Sequence, residues 1–203
     1  MSVHDDPTRR CLLARAAAIA SGIGLAGVNL DEALAQADLM PTPACHDGDE
    51  PTRRETEGPY FKPRSPERSD LREAGTTGRP IELSGTVLTR SCRPVAHALV
   101  DLWHANDGGE YDNRGFKLRG HVFTDVAGRY RFRTVMPGLY PGRTRHYHLK
   151  VQAPGRGVLT TQSYFPDEPR NKADGLFRRE LVMRLAEAED GLAARFDVVL
   201  DIK

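Results

Sequence analysis

A chain of 203 residues is long enough for one domain with a sizeable core. Its 29 basic and 28 acidic residues leave a formal net charge of +1, and neither sign forms a long block. The chain therefore lacks the basic face with which nucleic-acid-binding proteins neutralise phosphates, and its balance of charge gives no support for attraction to a membrane surface. We expect no nucleic-acid partner, and no membrane partner for the mature form.

Residues 1–37 have the features of an export signal. Thr8-Arg9-Arg10-Cys11-Leu12-Leu13 begins a charged region, and a mildly apolar run of small residues follows it. A transmembrane or amphipathic helix is the alternative, but Asp31 and Glu32 cut the run short of the ~20 apolar residues that a bilayer span needs. Small-x-small cleavage sites lie at residues 33–37. The paired arginines resemble a twin-arginine signal, which predicts a periplasmic or extracellular mature protein.

Removal of this signal would leave two of the three cysteines, Cys45 and Cys92. An even pair in an oxidising compartment favours a disulfide, which would tie the N-terminal part of the mature chain to the sheet. Two independent buried thiols are the alternative. Neither cysteine lies in a C-x-x-C pair, and two cysteines cannot form a zinc site alone.

Residues 38–80 are rich in Pro, Gly, Arg, Asp and Glu without a sustained period, which predicts an extended arm. Residues 81–203 have the pattern of a single β-sandwich domain without internal repeats. Strands are predicted at 81–88, 98–103, 146–152 and 195–202, with a hairpin over 120–134 that turns at 125–128. Residues 178–189 fit either a helix or a strand followed by a loop. The expected fold class is therefore all-β, an antiparallel β-sandwich with an extended N-terminal arm and few helices.

The segment His146-Tyr147-His148 is the strongest sign of chemistry in the chain. Alternate side chains of a strand share a face, so both imidazoles would point to one spot while Tyr147 points away. His-x-His alone suits zinc or copper as well as iron. The phenols of Tyr111 and Tyr140 make a ligand set that suits ferric iron, because anionic oxygen stabilises this hard cation. A carboxylate that would complete a two-His-one-carboxylate iron(II) site is not evident near the histidines.

Further motifs lie in a fixed order around these residues. They are Thr56-Glu57-Gly58-Pro59-Tyr60, Asp101-Leu102-Trp103-His104 continuing to Tyr111, Leu118-Arg119-Gly120, Thr124-Asp125, Gly128, Pro137-Gly138-Leu139-Tyr140-Pro141-Gly142-Arg143, and Gln162-Ser163-Tyr164-Phe165. Over about residues 45–202 this order resembles the intradiol ring-cleavage dioxygenases, the protocatechuate 3,4-dioxygenase and catechol 1,2-dioxygenase superfamily. The exported, single-domain branch of that family is the most similar.

The resemblance implies a non-haem Fe(III) enzyme that cleaves catechol-type aromatic diols with O2 to cis,cis-muconate-type products. It implies that Tyr111, Tyr140, His146 and His148 hold the iron. Tyr140 would be the axial ligand that substrate displaces, and its phenolate would then accept a substrate proton.

The same resemblance implies roles for residues around the iron. Arg143 would stabilise the charge that develops on the bound ring, and Gln162 would line the same cavity. Pro59 and Tyr60 would reach in from the arm to close the substrate pocket. From the residues alone, Arg143 could equally be a surface arginine in an arginine-rich loop, and Gln162 a strand residue that bonds the backbone.

Two positions depart from the family pattern. Tyr147 stands where the family usually has isoleucine, and Gly142 stands where protocatechuate enzymes have an aromatic residue. These differences leave open which catechol is the substrate. The alternative functions are a non-catalytic transthyretin-like β-sandwich binding module with a vestigial metal site, and a zinc or copper enzyme. A homo-oligomer is compatible with the sequence, and we expect His97, His104 and His121 to be structural.

Overall fold

The computed structural model describes residues 50–203. The signal predicted over residues 1–37, the first part of the predicted arm and Cys45 all lie outside the described residues. Between residues 50 and 203, no helix is both long and apolar enough to cross a bilayer.

Two β-sheets pack face to face around the core. Their strands are β1 Pro80–Leu88, β2 Leu99–Trp103, β3 Arg119–Phe123, β4 Arg129–Val135, β5 His146–Gln152, β6 Leu159–Tyr164, β7 Arg184–Ala188, β8 Gly191–Arg195 and β9 Val198–Val199. Two short 3-10 helices, Pro169–Lys172 and Arg179–Leu181, lie between β6 and β7. The prediction of an all-β sandwich with few helices is confirmed.

One sheet has the strand order β3-β2-β5-β6 and is antiparallel throughout. The other has the order β4-β1-β8-β7, with β9 beside the end of β1. Here β1 pairs in parallel with β8 and β9, so this sheet is mixed, whereas the sequence predicted antiparallel pairing. We call the first the ligand sheet, because it contains β5, and the second the support sheet.

The core forms because alternate side chains of facing strands are apolar. In β1, Ile81, Leu83, Gly85 and Val87 are buried, while the residues between them are partly exposed. The three aliphatic side chains among them pack with Leu102 and Leu149 of the ligand sheet in one hydrophobic cluster. Burying such a side chain contributes roughly 1.5–3 kcal/mol. Strand β5 is buried on both faces near its start, so its histidines lie on a rigid element.

The predicted hairpin over residues 120–134 is wrong in its pairing. Strand β3 pairs with β2 and β4 pairs with β1, so the turn carries the chain from the ligand sheet to the support sheet. The turn itself lies where predicted, because the Asp125 carboxylate accepts the N–H groups of Ala127 and Arg129. These hydrogen bonds form within the turn itself. They are therefore the same whether the two flanking strands pair with each other or belong to different sheets.

The C-terminal predictions also need revision. The strand expected at 195–202 is interrupted, because the Asp197 carboxylate accepts the N–H of Thr86 at 2.7 Å where a backbone carbonyl would continue the ladder. Of the two alternatives for residues 178–189, the helix is wrong. A 3-10 turn leads into β7, which pairs with β8.

Residues 50–79 form no regular strand and run along the edges of both sheets. Leu71, within this segment, is fully buried in the core. The segment is fixed by backbone hydrogen bonds, Thr52 to Val199, Glu55 to Thr160, Arg68 to His121 and Leu71 to Arg133. Between the second and third of these anchors, the chain passes over the start of β5 and brings Tyr60 to that point.

Candidate metal centre

Strand β5 aims two imidazoles at one spot, as the sequence predicted. The Nε2 atoms of His146 and His148 are 3.1 Å apart. The Tyr111 hydroxyl lies 3.4 Å from the first of these nitrogens and 3.1 Å from the second. Three potential ligand atoms from two segments of the chain therefore converge on one point.

The neighbours of each imidazole fix its orientation. His146 Nδ1 is 2.7 Å from the Thr144 carbonyl oxygen, so this nitrogen carries the proton and Nε2 carries the lone pair. The indole of Trp103 stacks on His148 with ring centroids 4.9 Å apart and planes 8° apart. Burial lowers the pKa of His146 to about 4 and the pKa of His148 well below its ordinary value. Both rings are therefore neutral, which is the form that binds metals.

The phenols of Tyr140 and Tyr60 lie beside Tyr111, His146 and His148, and we call these five side chains the cluster. Tyr111 follows β2, and Tyr140 lies in the loop between β4 and β5, with the two rings edge to face at 5.9 Å. Tyr60 stacks on Tyr111 at 4.5 Å, and its hydroxyl is 2.9 Å from the hydroxyl of Tyr140. Burial raises the pKa of Tyr111 above its usual value, so its phenol would ionise only beside a strong cation.

The convergence of these atoms fits a bound cation. His146 Nε2 carries a lone pair and lies 3.1 Å from His148 Nε2, so either a proton or a cation must lie between the two nitrogens. Ligands at ~2.1 Å from a common ion, roughly at right angles, would be about 3 Å apart. In residues 50–203 no three His, Cys, Asp or Glu side chains group as a metal site, so a metal here requires tyrosine ligands. Two phenols and two imidazoles suit ferric iron better than zinc.

Arg143 is held beside the cluster by two buried side chains. Its Nη2 donates to Gln162 Oε1 at 2.6 Å, and its Nε donates to Asp174 Oδ2 at 2.8 Å. Gln162 is fully buried, and its Nε2 donates in turn to the carbonyl of Thr56 on the arm at 2.9 Å. Arg143 is thus anchored within the site and does not extend freely from a surface loop.

The arm lies directly over the imidazoles. A Cβ atom added to Gly58 would lie 3.3 Å from His148 Cε1, and the backbone there has a φ of +69°. Pro59 is exposed next to it, while Tyr60 contacts both Tyr111 and Tyr140. Of the two residues predicted to close the pocket from the arm, Tyr60 belongs to the cluster through these contacts. The role of Pro59 stays a prediction.

Tyr147 points away from the cluster. It is fully buried between the sheets and donates to the Val135 carbonyl at 2.9 Å. His104 packs edge-on against it, with ring nitrogens 2.7 Å from the Ala105 carbonyl and 2.6 Å from the Thr134 hydroxyl. The departure from isoleucine is thus accommodated in the core, where the hydroxyl has a partner.

Sequence reasoning assigned no role to three side chains beside the cluster, Trp103, Arg119 and Asp174. Buried Arg119 donates to the backbone carbonyls of Tyr60 and Asp112, and its guanidinium carbon lies 6.0 Å from the centre of the Tyr111 ring. Trp103 and Arg119 do fall within the quoted motifs. Asp174 lies outside every motif, and no local pattern marked it.

Of the two cysteines predicted to pair, only Cys92 lies within the described residues. Cys92 is disulfide-bonded. Since Cys45 lies outside the described residues, its pairing with Cys92 stays a prediction.

Comparisons with known proteins point to one family. The family model described as "Dioxygenase" matches residues 56–202. The dioxygenase domain of a dioxygenase carbohydrate-binding protein fusion from Streptomyces sp. SirexAA-E is 52% identical in sequence and superposes with a TM-score of 0.74. That match covers 76% of this chain and 100% of the solved chain. The catechol 1,2-dioxygenase structure from Acinetobacter sp. ADP1 is 27% identical, with a TM-score of 0.69 over 85% of this chain and 68% of that one.

Curated relatives agree with these structures. Catechol 1,2-dioxygenase 2 of Acinetobacter lwoffii is 31% identical over 202 residues, covering 84% of this chain and 70% of the relative. The protocatechuate 3,4-dioxygenase beta chain of Burkholderia cepacia is 34% identical over 152 residues, covering 61% of this chain and 65% of the relative. Several other curated relatives are matched over about half of their length.

Proposed function

Because this chain belongs to the intradiol ring-cleavage dioxygenase family, we propose that it is an Fe(III) enzyme that cleaves catechol-type diols with O2. The ring would open between the two hydroxyl-bearing carbons and give cis,cis-muconate-type products. The observation that carries this proposal is the convergence of Tyr111, His146 and His148 on one point, with Tyr140 and Arg143 beside it.

The metal would be held by Tyr111, Tyr140, His146 and His148. Ferric iron bound there would supply Lewis acidity, which favours the ionised diol and prepares its ring for reaction with O2. The neutral imidazoles and the buried phenols support this assignment, because a cation would bind the lone pairs of both imidazoles and allow the phenols to ionise.

The chain's own groups would then handle protons and charge. The Tyr140 oxygen is the candidate base for one diol proton. When Tyr140 is a phenolate, the Tyr60 hydroxyl, 2.9 Å away, can donate a hydrogen bond to its oxygen. The Arg143 guanidinium would stabilise negative charge on the ring from a fixed position, which requires no reorganisation during reaction. Tyr60 and Gly58 of the arm, with Trp103 behind His148, would exclude water from the imidazoles.

Purified protein with its native metal tests this function directly. We expect a red-brown visible band from tyrosinate-to-iron charge transfer, and O2 uptake with at least one member of a panel of catechol, protocatechuate and hydroxyquinol. A colourless protein fully loaded with zinc would contradict the proposal and favour the zinc-enzyme alternative. Iron-loaded protein that consumes no O2 with any of these diols would favour the binding-module alternative.

We also propose that the mature chain works outside the cytoplasm. The twin arginines at Arg9 and Arg10 and the disulfide-bonded state of Cys92 support this location. In a bacterial host that has the twin-arginine pathway, the full chain should be found in the periplasm or medium. An R9K/R10K variant should stay in the cytoplasm, and equal export of both would contradict the proposal.

A further inference from the structure

The Asp174 carboxylate is buried behind the guanidinium of Arg143. Only 3% of its side chain is exposed, against 15% for Arg143. Its Oδ2 accepts from Arg143 Nε and from the Thr144 N–H, each at 2.8 Å. Its Oδ1 accepts from the Leu176 N–H at 2.9 Å. Burial raises the pKa of this carboxyl, but the three hydrogen bonds and the arginine charge outweigh burial. The net result is a pKa below the ordinary value of an aspartate. Asp174 is therefore an anion.

This carboxylate and Gln162 together fix the direction of the guanidinium. Asp174 takes the Nε–H, and Gln162 takes an N–H of Nη2 at 2.6 Å. Because a guanidinium is planar, two anchors on different nitrogens define its plane. The same Oδ2 also binds the backbone N–H of Thr144, so the arginine head and the backbone beside it are tied to one atom.

We propose that Asp174 is a positioning residue, which aims Arg143 at the bound diol. This inference rests on the proposed function, because it gives Arg143 a substrate to act on. In the described residues no hydrogen bond joins Asp174 to a candidate metal ligand. Its nearest link to the metal centre is the Thr144 N–H, since the Thr144 carbonyl accepts from His146. We therefore expect its main influence on the reaction rate, through the arginine, with the iron retained.

A neighbouring ion pair provides a matched control. Arg145 Nε donates to Glu168 Oε2 at 2.8 Å and joins the same two segments of the chain. The other contact of the Arg145 guanidinium is with the Pro137 carbonyl, outside the cluster. A loss of rate that came merely from loosening these segments would be shared by E168Q and D174N.

The first experiment compares D174N with E168Q in the iron-loaded protein. We expect D174N to keep its iron and visible band while kcat falls by about 10- to 100-fold, since small misplacements of a catalytic group have effects of this size. KM should change less than threefold, and E168Q should match the wild type in iron content, visible band, kcat and KM. Wild-type turnover by D174N, or an equal loss in E168Q, would overturn the inference.

A double mutant separates positioning from damage to the loop. An asparagine cannot serve both the Thr144 and the Leu176 N–H groups, so D174N also removes a structural bond. If Asp174 acts through Arg143, then R143A/D174N should turn over as slowly as R143A and no slower. If the two losses multiply, the inference is wrong.

Two measurements do not depend on turnover. The double-mutant cycle for unfolding of the iron-free protein should show favourable coupling between Asp174 and Arg143, and the Arg143 Nε–H of the wild type should exchange slowly with solvent by NMR. Absence of both would overturn the inference, even if D174N failed to fold. An inactive wild type with both signals present would refute the proposed function and leave Asp174 as the residue that orients Arg143.

Discussion

The four candidate ligands differ in how the chain holds them, and this decides what a single substitution can reveal. Both histidines lie on a buried strand, and His146 is oriented by a carbonyl through its second nitrogen. The tyrosines lie in loops, where Tyr60 contacts each of them. Replacing one phenol should therefore alter the metal centre without unfolding the sheet.

Tyr111→Phe should weaken the visible band and reduce iron retention by at least about tenfold, because it removes an anionic ligand. Tyr147→Phe is the matched control within β5, the strand that carries both histidines. It should keep colour and iron but lower the free energy of unfolding by about 1–2 kcal/mol, since the Val135 carbonyl loses its buried donor. Absorption spectra, iron analysis and denaturant titration measure these effects. A colourless Tyr147→Phe protein would contradict the ligand assignment.

Arg143→Ala should retain iron and colour while turnover of catechols falls by about 100-fold or more, because a fixed charge beside the developing anion is lost. Steady-state O2 uptake, with iron content measured on the same sample, tests this. Arg145→Ala serves as the control for loss of an arginine from the same loop. Unchanged turnover in Arg143→Ala would return this residue to a structural role.

At the scale of elements, the arm covers the start of β5, the strand that carries both histidines. It crosses that strand at Gly58, where the backbone has a positive φ and an added Cβ would lie only 3.3 Å from His148 Cε1, tighter than most real Cβ contacts. Gly75, in the same segment, also has a positive φ, of +82°, but nothing lies within 4 Å of an added Cβ. Replacing each glycine by alanine therefore separates two effects. Both substitutions strain the backbone, but only the one at Gly58 also brings a methyl group against the His148 imidazole.

Gly58→Ala and Gly75→Ala should each lower the free energy of unfolding by about 1 kcal/mol, because alanine is strained at positive φ. Only Gly58→Ala should also shift the visible band and slow turnover, since its methyl group would displace the arm or His148. Thermal unfolding and spectra of the two iron-loaded variants make the comparison. Identical spectra would mean that contact between Gly58 and His148 does not affect the metal centre.

The sequence predicted the elements whose information is local. The period of His146-Tyr147-His148 was sufficient to place two imidazoles on one face of β5, and Asp125 to Gly128 was sufficient to predict a turn. The sequence could not show which sheet is joined by each of the two strands that flank the turn, because their pairing depends on strands distant in the chain. Asp174 was missed for the same reason, since 31 positions separate it from Arg143.

At the scale of the whole molecule, buried neutral histidines make stability depend on pH. Burial lowers the pKa of His104 to about 4, whereas in the unfolded chain it titrates near ~6.5. Between these values the unfolded state binds the additional proton, so stability falls as the pH decreases through this range. Above pH ~6.5 this residue contributes no pH dependence.

For the iron-free protein, this predicts a loss of up to about 1.4 kcal/mol of unfolding free energy per pH unit between pH ~6.5 and ~4 from His104 alone. His104→Gln cannot titrate and should remove that part of the slope. Urea titrations of both proteins at several pH values give the difference. Parallel curves would mean that His104 is not held neutral in the fold.

The path of the chain between Tyr140 and His146 has a consequence for assembly. Tyr140 follows β4 of the support sheet, while His146 begins β5 of the ligand sheet. A metal bound by both would join this crossover loop to β5, so its site would be complete only after the loop has packed against the segment that follows β2. The visible colour would then report the packing of this loop during refolding. With ferric iron present, the visible band should return after the far-ultraviolet signal of the strands.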